Sequence, residues 1–186
     1  MKLEQSSVIR LQLTELDRLD PITVFLEHFG AHRGRITIEC FGRSWSSFWP
    51  AMGCQLEEFF IDCNDDYLAK NLDSQLDSDI YDFDQLETHL KRRILANFFH
   101  RHINRKKAEK LMEQASDLDY SVMPCEEQVW LSDNARMLSE IYGEEWYYDL
   151  PKCENPEYGY LCRIIQVVRE GLKLYLQPKE TETAQT

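Results

Sequence analysis

The sequence contains none of the short motifs that mark a catalytic site. There is no G-x-S-x-G, no P-loop, no G-x-G-x-x-G and no H-E-x-x-H, and the seven glycines are too few and too scattered for a phosphate-binding loop. Adjacent carboxylates such as Glu57 and Glu58 occur, but in so acidic a chain most of them are expected on the solvated surface. We therefore expect no catalytic residue, no cofactor and no enzyme activity. An enzyme with a dispersed active site stays open as an alternative.

Metal-binding and disulfide patterns are missing as well. The six cysteines include no C-x-x-C pair, and His100 and His102 are two residues apart, whereas zinc-binding histidines on one helix are usually four apart. The aspartates between Asp73 and Asp84 lack the glycine and the glutamate of an EF-hand loop. We therefore expect no metal site, and free thiols instead of disulfides.

Long apolar runs are absent too. No segment approaches the roughly 18 apolar residues of a membrane span. Residues Met1 to Ser7 are polar, without the apolar stretch of a signal peptide. The sequence predicts a cytoplasmic protein with no membrane partner.

What the sequence does contain is charge, and the charge is unevenly placed. The formal net charge is −12, yet residues 91–110 carry eight cations and a single acid, so the rest of the chain sums to −19. Acidic blocks flank the basic one: residues 57–87 hold 11 acids and one base, and residues 113–157 hold 12 acids and two bases. Such a distribution concerns partners and solubility rather than fold.

The pattern of the sequence predicts an α+β fold in one domain. Hydrophobic residues make up 43% of the chain and aromatic residues 12%, as in globular proteins. The predicted domain spans residues 1–178. Its three-stranded antiparallel sheet covers residues 8–42, and a mainly helical part of about five helices covers residues 55–177. Residues 179–186 are predicted to form a disordered tail.

Alternation of apolar and polar residues predicts strands over Val8–Leu13 and Arg35–Phe41, and a high content of β-branched and aromatic residues predicts another over Ile22–Phe29. The aromatic, serine-rich segment that follows the third strand breaks this pattern. Two short helices are predicted next, over residues 55–63 and 65–71. Short connections between the strands favour an antiparallel meander.

A long helix is predicted to start near Asp84, where the sequence has the form of a capping box. Its apolar stripe falls on residues four apart, at Leu86, Leu90, Ile94, Phe98 and His102. The width of the stripe is typical of a helix that faces a core. A bend leads into a second helix that ends near Ser116. Ser132 is the predicted N-cap of a helix to Tyr142, and Pro156 opens the last helix.

The acidic blocks supply the main candidate for a binding surface. The predicted residues are Asp73, Asp77, Asp79, Asp82, Asp84, Glu126, Glu127, Glu144, Glu145 and Asp149. They serve either solubility alone, or docking of a partner with a basic surface, or imitation of nucleic-acid phosphates. Mimicry requires carboxylates spaced like phosphates on an ordered surface, and a sequence gives only their density.

Aromatic residues supply candidate anchors for the same partner. The predicted anchors are Trp45, Trp49, Trp146 and Tyr147. Tryptophan and tyrosine are favoured at the energetic centres of protein interfaces. The alternative is that these rings fill the core between sheet and helices.

The basic block supports an alternative, a nucleic-acid-binding module. Its candidate residues are Arg101, Arg105, Lys106 and Lys107. Such cations bind phosphates. Otherwise they neutralise the acidic blocks, either within one chain or across a homodimer, so a homodimer stays open.

Four segments carry a resemblance to known proteins: Leu13–Pro21, Ile36–Cys40, Trp45–Trp49 and Tyr67–Leu72. They resemble a group of uncharacterised acidic accessory proteins of enterobacterial phages and prophages. The resemblance transfers no functional residue. It implies a context, since small phage accessory proteins often bind a host protein and inhibit or redirect it. The leading hypothesis is therefore a phage protein of the host cytoplasm that binds a nucleic-acid-processing or defence factor through an acidic surface.

Overall fold

The structure of the protein, a computed structural model, describes residues 2–3, 5–122 and 125–177. The chain divides into two compact units. The sheet unit comprises residues 1–78 and 155–186, and the helical unit comprises residues 79–154. The helical unit is thus inserted into the chain of the sheet unit. The predicted single domain over residues 1–178 stays a prediction, and the predicted tail lies outside the described residues.

The sheet unit is built on a four-stranded antiparallel sheet. Its strands, which are neighbours in chain order, are β1 (Ile9–Leu13), β2 (Ile22–His28), β3 (Gly34–Cys40) and β4 (Arg43–Trp49). The predicted antiparallel meander is confirmed, but the count of three strands was wrong. β4 was missed because its inward residues are Trp45, Ser47 and Trp49 while Phe48 points outward, so its apolar residues do not mark one face.

The secondary structure of the described residues also includes seven helices and a second, two-stranded ladder. The helices are α1 (Leu56–Asp62), α2 (Asp65–Leu72), α3 (Phe83–Phe99), α4 (Arg105–Ser116), α5 (Glu127–Tyr142), α6 (Trp146–Asp149) and α7 (Pro156–Leu176). The ladder pairs β5 (Asp79–Tyr81) with β6 (Lys152–Glu154). The α+β class is confirmed, and the count of about five helices was too low. α6 and the ladder escaped prediction because elements of three or four residues are too short to show a period.

The predicted start of α3 near Asp84 is confirmed, whereas the predicted start of α5 was wrong. α3 begins at Phe83, but its N-cap is Asp82 instead of Asp84, because the Asp82 carboxylate accepts a hydrogen bond from the Gln85 N–H at 3.0 Å. α5 begins at Glu127, and the predicted cap Ser132 lies inside it. No side chain caps this helix, so the sequence carries no signal for its start.

The sheet unit buries one face of its sheet under α1, α2 and α7. Alternate residues of the strands are fully buried, for example Val24 opposite Ile38. α7 contributes Leu161, Ile164 and Val168 to the same cluster. This division into one buried and one open face explains the period of two in the sequence.

The helical unit has a core of its own. Leu86, Leu90 and Ile94 of α3 are buried against residues of α4 and α5, including Leu111 and Leu138. The predicted stripe of α3 holds over these three residues. It fails at Phe98, which is 37% exposed, because α3 ends at Phe99 and the chain turns. No helix among the described residues is long and apolar enough to cross a membrane.

The close contact between α7 and β1 allows the packing of the sheet unit to be tested by mutation. A Cβ atom on Gly171 would lie 2.6 Å from Leu13 Cδ2, whereas a Cβ atom on Gly159 of the same helix would meet nothing within 4 Å. We expect Gly159→Ala to stabilise the protein by about 1 kcal/mol through helix propensity. Gly171→Ala should destabilise it by about 1 kcal/mol, because displacing Leu13 costs more than the helix gains. Urea denaturation of the two variants measures the difference, and equal stabilisation by both would contradict the contact.

Candidate interaction surfaces

The ten predicted acidic residues are divided between the two units. Asp73 and Asp77 belong to the sheet unit, where the Asp73 carboxylate accepts a hydrogen bond from the Gln75 N–H at 3.2 Å. The other eight belong to the helical unit. The candidate acidic surface is therefore described on the helical unit alone.

The β5–β6 ladder brings several of these acids to one side of the helical unit. Tyr81 pairs with Lys152, whose Nζ atom lies 5.4 Å from the centre of the tyrosine ring. Burial raises the pKa of the Glu127 carboxyl, and the nearby Lys152 ammonium opposes this. Burial, together with Glu127, raises the pKa of Tyr81. The start of α5 therefore lies beside the ladder.

The aspartates at the start of α3 lie around β6 of the ladder. The pKa of the exposed Cys153 thiol in β6 is raised, first by desolvation and then by the carboxylates of Asp82, Asp84 and Asp79. These carboxylates therefore lie within electrostatic range of one side chain. Asp82 is also held in place as the N-cap of α3.

The short helix α6 places tyrosines among carboxylates. Tyr147 is 40% exposed and Tyr148 is 72% exposed, and their ring centroids are 4.4 Å apart. Glu144, Glu145, Tyr148 and Asp149 line a cleft of about 300 Å³. We call Glu144, Glu145, Tyr147, Tyr148 and Asp149 the α6 surface. Here acids and aromatic side chains share one small area.

Two contacts hold α6 against its neighbours. The Tyr81 hydroxyl donates a hydrogen bond to the Tyr147 carbonyl oxygen at 3.3 Å, which ties α6 to β5. Asp149 Oδ2 lies 3.8 Å from Arg93 Nη2 of α3. The α6 surface is thus held by β5 and α3, two consecutive elements that lie far from α6 in the sequence.

Two of the four predicted aromatic anchors are not accessible. Trp45 and Trp49 are each only 4% exposed and belong to the core of the sheet unit. The Trp49 Nε1–H donates to the Tyr67 hydroxyl at 3.1 Å, so even its polar edge has a partner. Their assignment as exposed anchors was wrong, because alternate positions of β4 face the helices.

The other two predicted anchors lie on α6. Trp146 is half-buried against the core of the helical unit, and Tyr147 is exposed. Sequence reasoning missed Tyr148, which is the most exposed aromatic residue of α6. Its position two residues after Trp146 in a W-Y-Y run was a signal, but only the helix decides which ring points outward.

The basic block lies on α3, α4 and the turn between them. Four of its cations make ion pairs inside the helical unit: Lys91 with Glu87, Arg93 with Asp149, Arg105 with Glu109 and Lys107 with Glu140. Arg92, Arg101, Lys106 and Lys110 are exposed and have no ion pair within the described residues. Neutralisation of the basic block by nearby acids is therefore only partial.

A groove in the sheet unit contains none of the predicted site residues. It has a volume of about 880 Å³ and lies between β1 and α7, where Leu13, Leu16, Arg163 and Arg169 contribute to its walls. Within the described part of the chain, no group of three or more His, Cys, Asp or Glu residues is placed to hold a metal ion. Whether the protein is an enzyme stays a prediction.

A protein-family model described as "Phage family" (Phage_phiTE_072) matches residues 1–174. The chain belongs to this phage family. The match confirms the phage part of the resemblance, while its enterobacterial and acidic-accessory aspects stay predictions. No curated protein and no solved structure matches the phage protein.

The burial of Tyr142, which lies next to the α6 surface, can be tested through the pH dependence of the unfolding free energy. Its hydroxyl lies 2.8 Å from His89 Nδ1, and burial raises its pKa to about 12. The folded state therefore keeps a proton that the unfolded chain releases near pH 10. The resulting stabilisation is complete below about pH 10 and is lost as the pH rises through about 12.

We therefore expect the unfolding free energy of Tyr142→Phe to fall less steeply above about pH 10 than that of the wild type. The measurement is urea denaturation of the phage protein and the variant at several pH values between about 9 and 11. If both proteins lose stability with the same slope, the hydroxyl of Tyr142 is not protected as described.

Proposed function

We propose that this phage protein binds a host protein through the α6 surface and thereby inhibits or redirects it. The proposed partner is a nucleic-acid-processing or anti-phage defence factor in the host cytoplasm, with a basic surface. The observation that carries the proposal is the placement of two exposed tyrosines of α6, Tyr147 and Tyr148, between the carboxylates that precede the helix, Glu144 and Glu145, and the one at its end, Asp149.

Tyrosines at such a position suit a protein interface. A tyrosine ring supplies a large contact area at a low cost in conformational entropy, and its hydroxyl keeps it soluble when unbound. Tyrosine is enriched among residues whose truncation costs an interface 2 kcal/mol or more. Exposure of both rings is therefore more useful to a partner than to the isolated fold.

The carboxylates of the α6 surface favour a partner of opposite charge. Glu144 and Glu145 are exposed, and Asp149 has one ion-pair partner among the described residues, Arg93 at 3.8 Å. Residues 79–154 carry 16 acids and 10 cations, so the helical unit as a whole attracts basic proteins. Charges of this kind mainly accelerate association and exclude wrong partners.

The same surface supports a sharper form of the proposal, imitation of nucleic acid. The hydrogen bond from Tyr81 and the ion pair to Arg93 hold α6 in place, and an ordered set of carboxylates is what mimicry requires. Asp82 and Asp84 would extend the negative surface along the ladder. In this form, the partner uses its nucleic-acid site to bind the phage protein.

The test is a pull-down from host lysate with the full chain, repeated at low and high salt. We expect a captured host protein whose binding weakens with salt. Tyr148→Ala should weaken binding of that protein about 30-fold, the effect of an interface residue worth about 2 kcal/mol. The double variant Glu144→Lys, Glu145→Lys should abolish it. Its matched control is Asp133→Lys, which reverses an exposed acid of α5 outside the α6 surface.

Two outcomes would contradict the proposal. One is the absence of any salt-sensitive partner at low salt. The other is a partner that binds the wild type, Tyr148→Ala and the double variant equally well. Competition between the partner's nucleic acid and the phage protein tests the mimicry form separately, because a partner that holds both at once does not use its nucleic-acid site.

A further inference from the structure

The turn between α3 and α4 combines exposed phenylalanines with cations. Phe99 is 76% exposed and Phe98 is 37% exposed. A groove of about 490 Å³ opens beside them, lined by Phe98, Phe99, Arg101, His102, Ile103 and Asn104. We call Phe98, Phe99, Arg101, Arg105, Lys106 and Lys107 the basic tip. It lies within the helical unit but involves none of the residues of the α6 surface.

Arg101 occupies a backbone position that favours glycine. α3 ends in a Schellman motif, in which the His102 N–H donates to the Asn97 carbonyl and the Arg101 N–H donates to the Phe98 carbonyl. This places Arg101 in the left-handed region, with φ of 61°. A residue with a Cβ atom is strained there, and glycine is not. The sequence keeps an arginine at the cost of a less favourable backbone.

The charges in the first turn of α4 also destabilise that helix. Asn104 caps the helix by accepting the Lys107 N–H at 2.9 Å, and the next three residues are Arg105, Lys106 and Lys107. The first turn contains no acid. The N-terminus of a helix carries a partial positive charge, so cations there are unfavourable and an anion is favourable. An anionic partner would relieve this repulsion.

Intramolecular partners neutralise only half of the four cations in the basic tip. Arg105 pairs with Glu109 and Lys107 pairs with Glu140. Arg101 and Lys106 are exposed and have no ion pair within the described residues. Phe99 is similarly left in solvent, where a large apolar ring gains nothing for the fold. Together these features suit a partner that offers both negative charge and flat aromatic rings.

We propose that the basic tip binds single-stranded nucleic acid. Arg101, Lys106 and the N-terminus of α4 bind phosphates, while Phe99 and Phe98 stack on unpaired bases. Stacking on aromatic side chains together with a basic groove is the usual means of binding single strands without sequence preference. A single strand offers accessible base faces, whereas a duplex hides them and an acidic protein has none.

The charge of the surrounding unit limits the alternatives. An anionic membrane also suits cations and phenylalanines. A membrane or a duplex, however, is a wide negative surface and would approach the 16 acids of residues 79–154 as well. A thin, flexible strand contacts the basic tip and avoids most of those acids. The geometry therefore favours a single strand.

The test is fluorescence anisotropy of the full chain with labelled oligothymidine and RNA of about 16 nucleotides. The comparison ligands are a duplex of the same length, heparin as a polyanion without bases, and phosphatidylserine vesicles. We expect tighter binding of the single strands than of the duplex, and binding that weakens with salt. Each cation lost from the site should reduce the slope of log affinity against log salt by about 0.7.

Three variants separate the roles of the basic tip. Phe99→Ala should weaken binding of single strands on the order of tenfold, because one stacking contact is lost. The double variant Arg101→Gln, Lys106→Gln should lower both the affinity and the salt slope. Arg101→Gly should lower the affinity while leaving the melting temperature unchanged or higher, because glycine fits the left-handed position. A merely structural role for Arg101 would move affinity and stability in the same direction.

Val129→Ala and Arg136→Gln are the matched controls. They change an exposed apolar residue and an exposed cation of α5 outside the basic tip, and binding should be retained. The proposal is overturned if no strand binds at about 50 mM salt. It is also overturned if duplex or heparin binds as tightly as single strands and Phe99→Ala does not change the affinity. Binding of vesicles without binding of oligonucleotides would overturn it as well.

A second copy of the chain is the remaining competitor for the basic tip. Its acids could pair with the cations and form the homodimer that the sequence leaves open. A mass that doubles at low salt in the wild type, but not in Arg101→Gln, Lys106→Gln, would assign the basic tip to that contact and overturn the proposal. A monomer that binds single strands supports it. Loss of strand binding leaves the host-protein proposal untouched, because the two surfaces share no residue.

Discussion

Both candidate surfaces of the helical unit depend on Asn97. Its side-chain amide donates to the Ile141 carbonyl at 2.7 Å, which fastens the end of α5 to α3. Its backbone carbonyl accepts the His102 N–H at 2.9 Å, which closes the turn that carries the basic tip. One residue therefore takes part both in the turn toward α4 and in the contact between α3 and the end of α5, from which α6 follows. The core leucines stabilise this arrangement, and Asn97 helps to orient its helices.

The opposite charges of the helical unit are only partly paired with one another. Half of the cations of the basic block pair with nearby acids, and the rest stay exposed. Such partial pairing contributes little to stability, because exposed ion pairs are worth at most about 1 kcal/mol each. The two surfaces also break local rules, with tyrosines and phenylalanines in solvent, an arginine at positive φ and cations at a helix N-terminus. Departures of this kind concentrate at functional sites.

The elements that could be predicted were those with a strong period and a sharp boundary. β3 alternates cleanly, β2 is rich in β-branched and aromatic residues, and Leu86, Leu90 and Ile94 of α3 fall four apart over about two turns. β4 was missed because serine takes an inward position and phenylalanine an outward one. The start of α5 was misplaced because nothing caps it. Tyr148 was missed as a site residue because α6 is a single turn, and its contacts come from Tyr81, 66 residues before Tyr147, and from Arg93 of α3.

The sequence by itself determined the charge distribution, the phage context, the alternating strands and the basic character of residues 101–107. Those properties follow from residue types and local spacing. Only the tertiary structure decided that Trp45 and Trp49 are core residues, that Asp73 and Asp77 belong to a different unit from the other acids, and that Tyr147 and Tyr148 stand among carboxylates. It also decided that Arg101 takes the left-handed position beside Phe98 and Phe99. The physical reason is that these facts depend on contacts between residues distant in the chain or on the backbone angle of one turn, and neither is encoded in local composition.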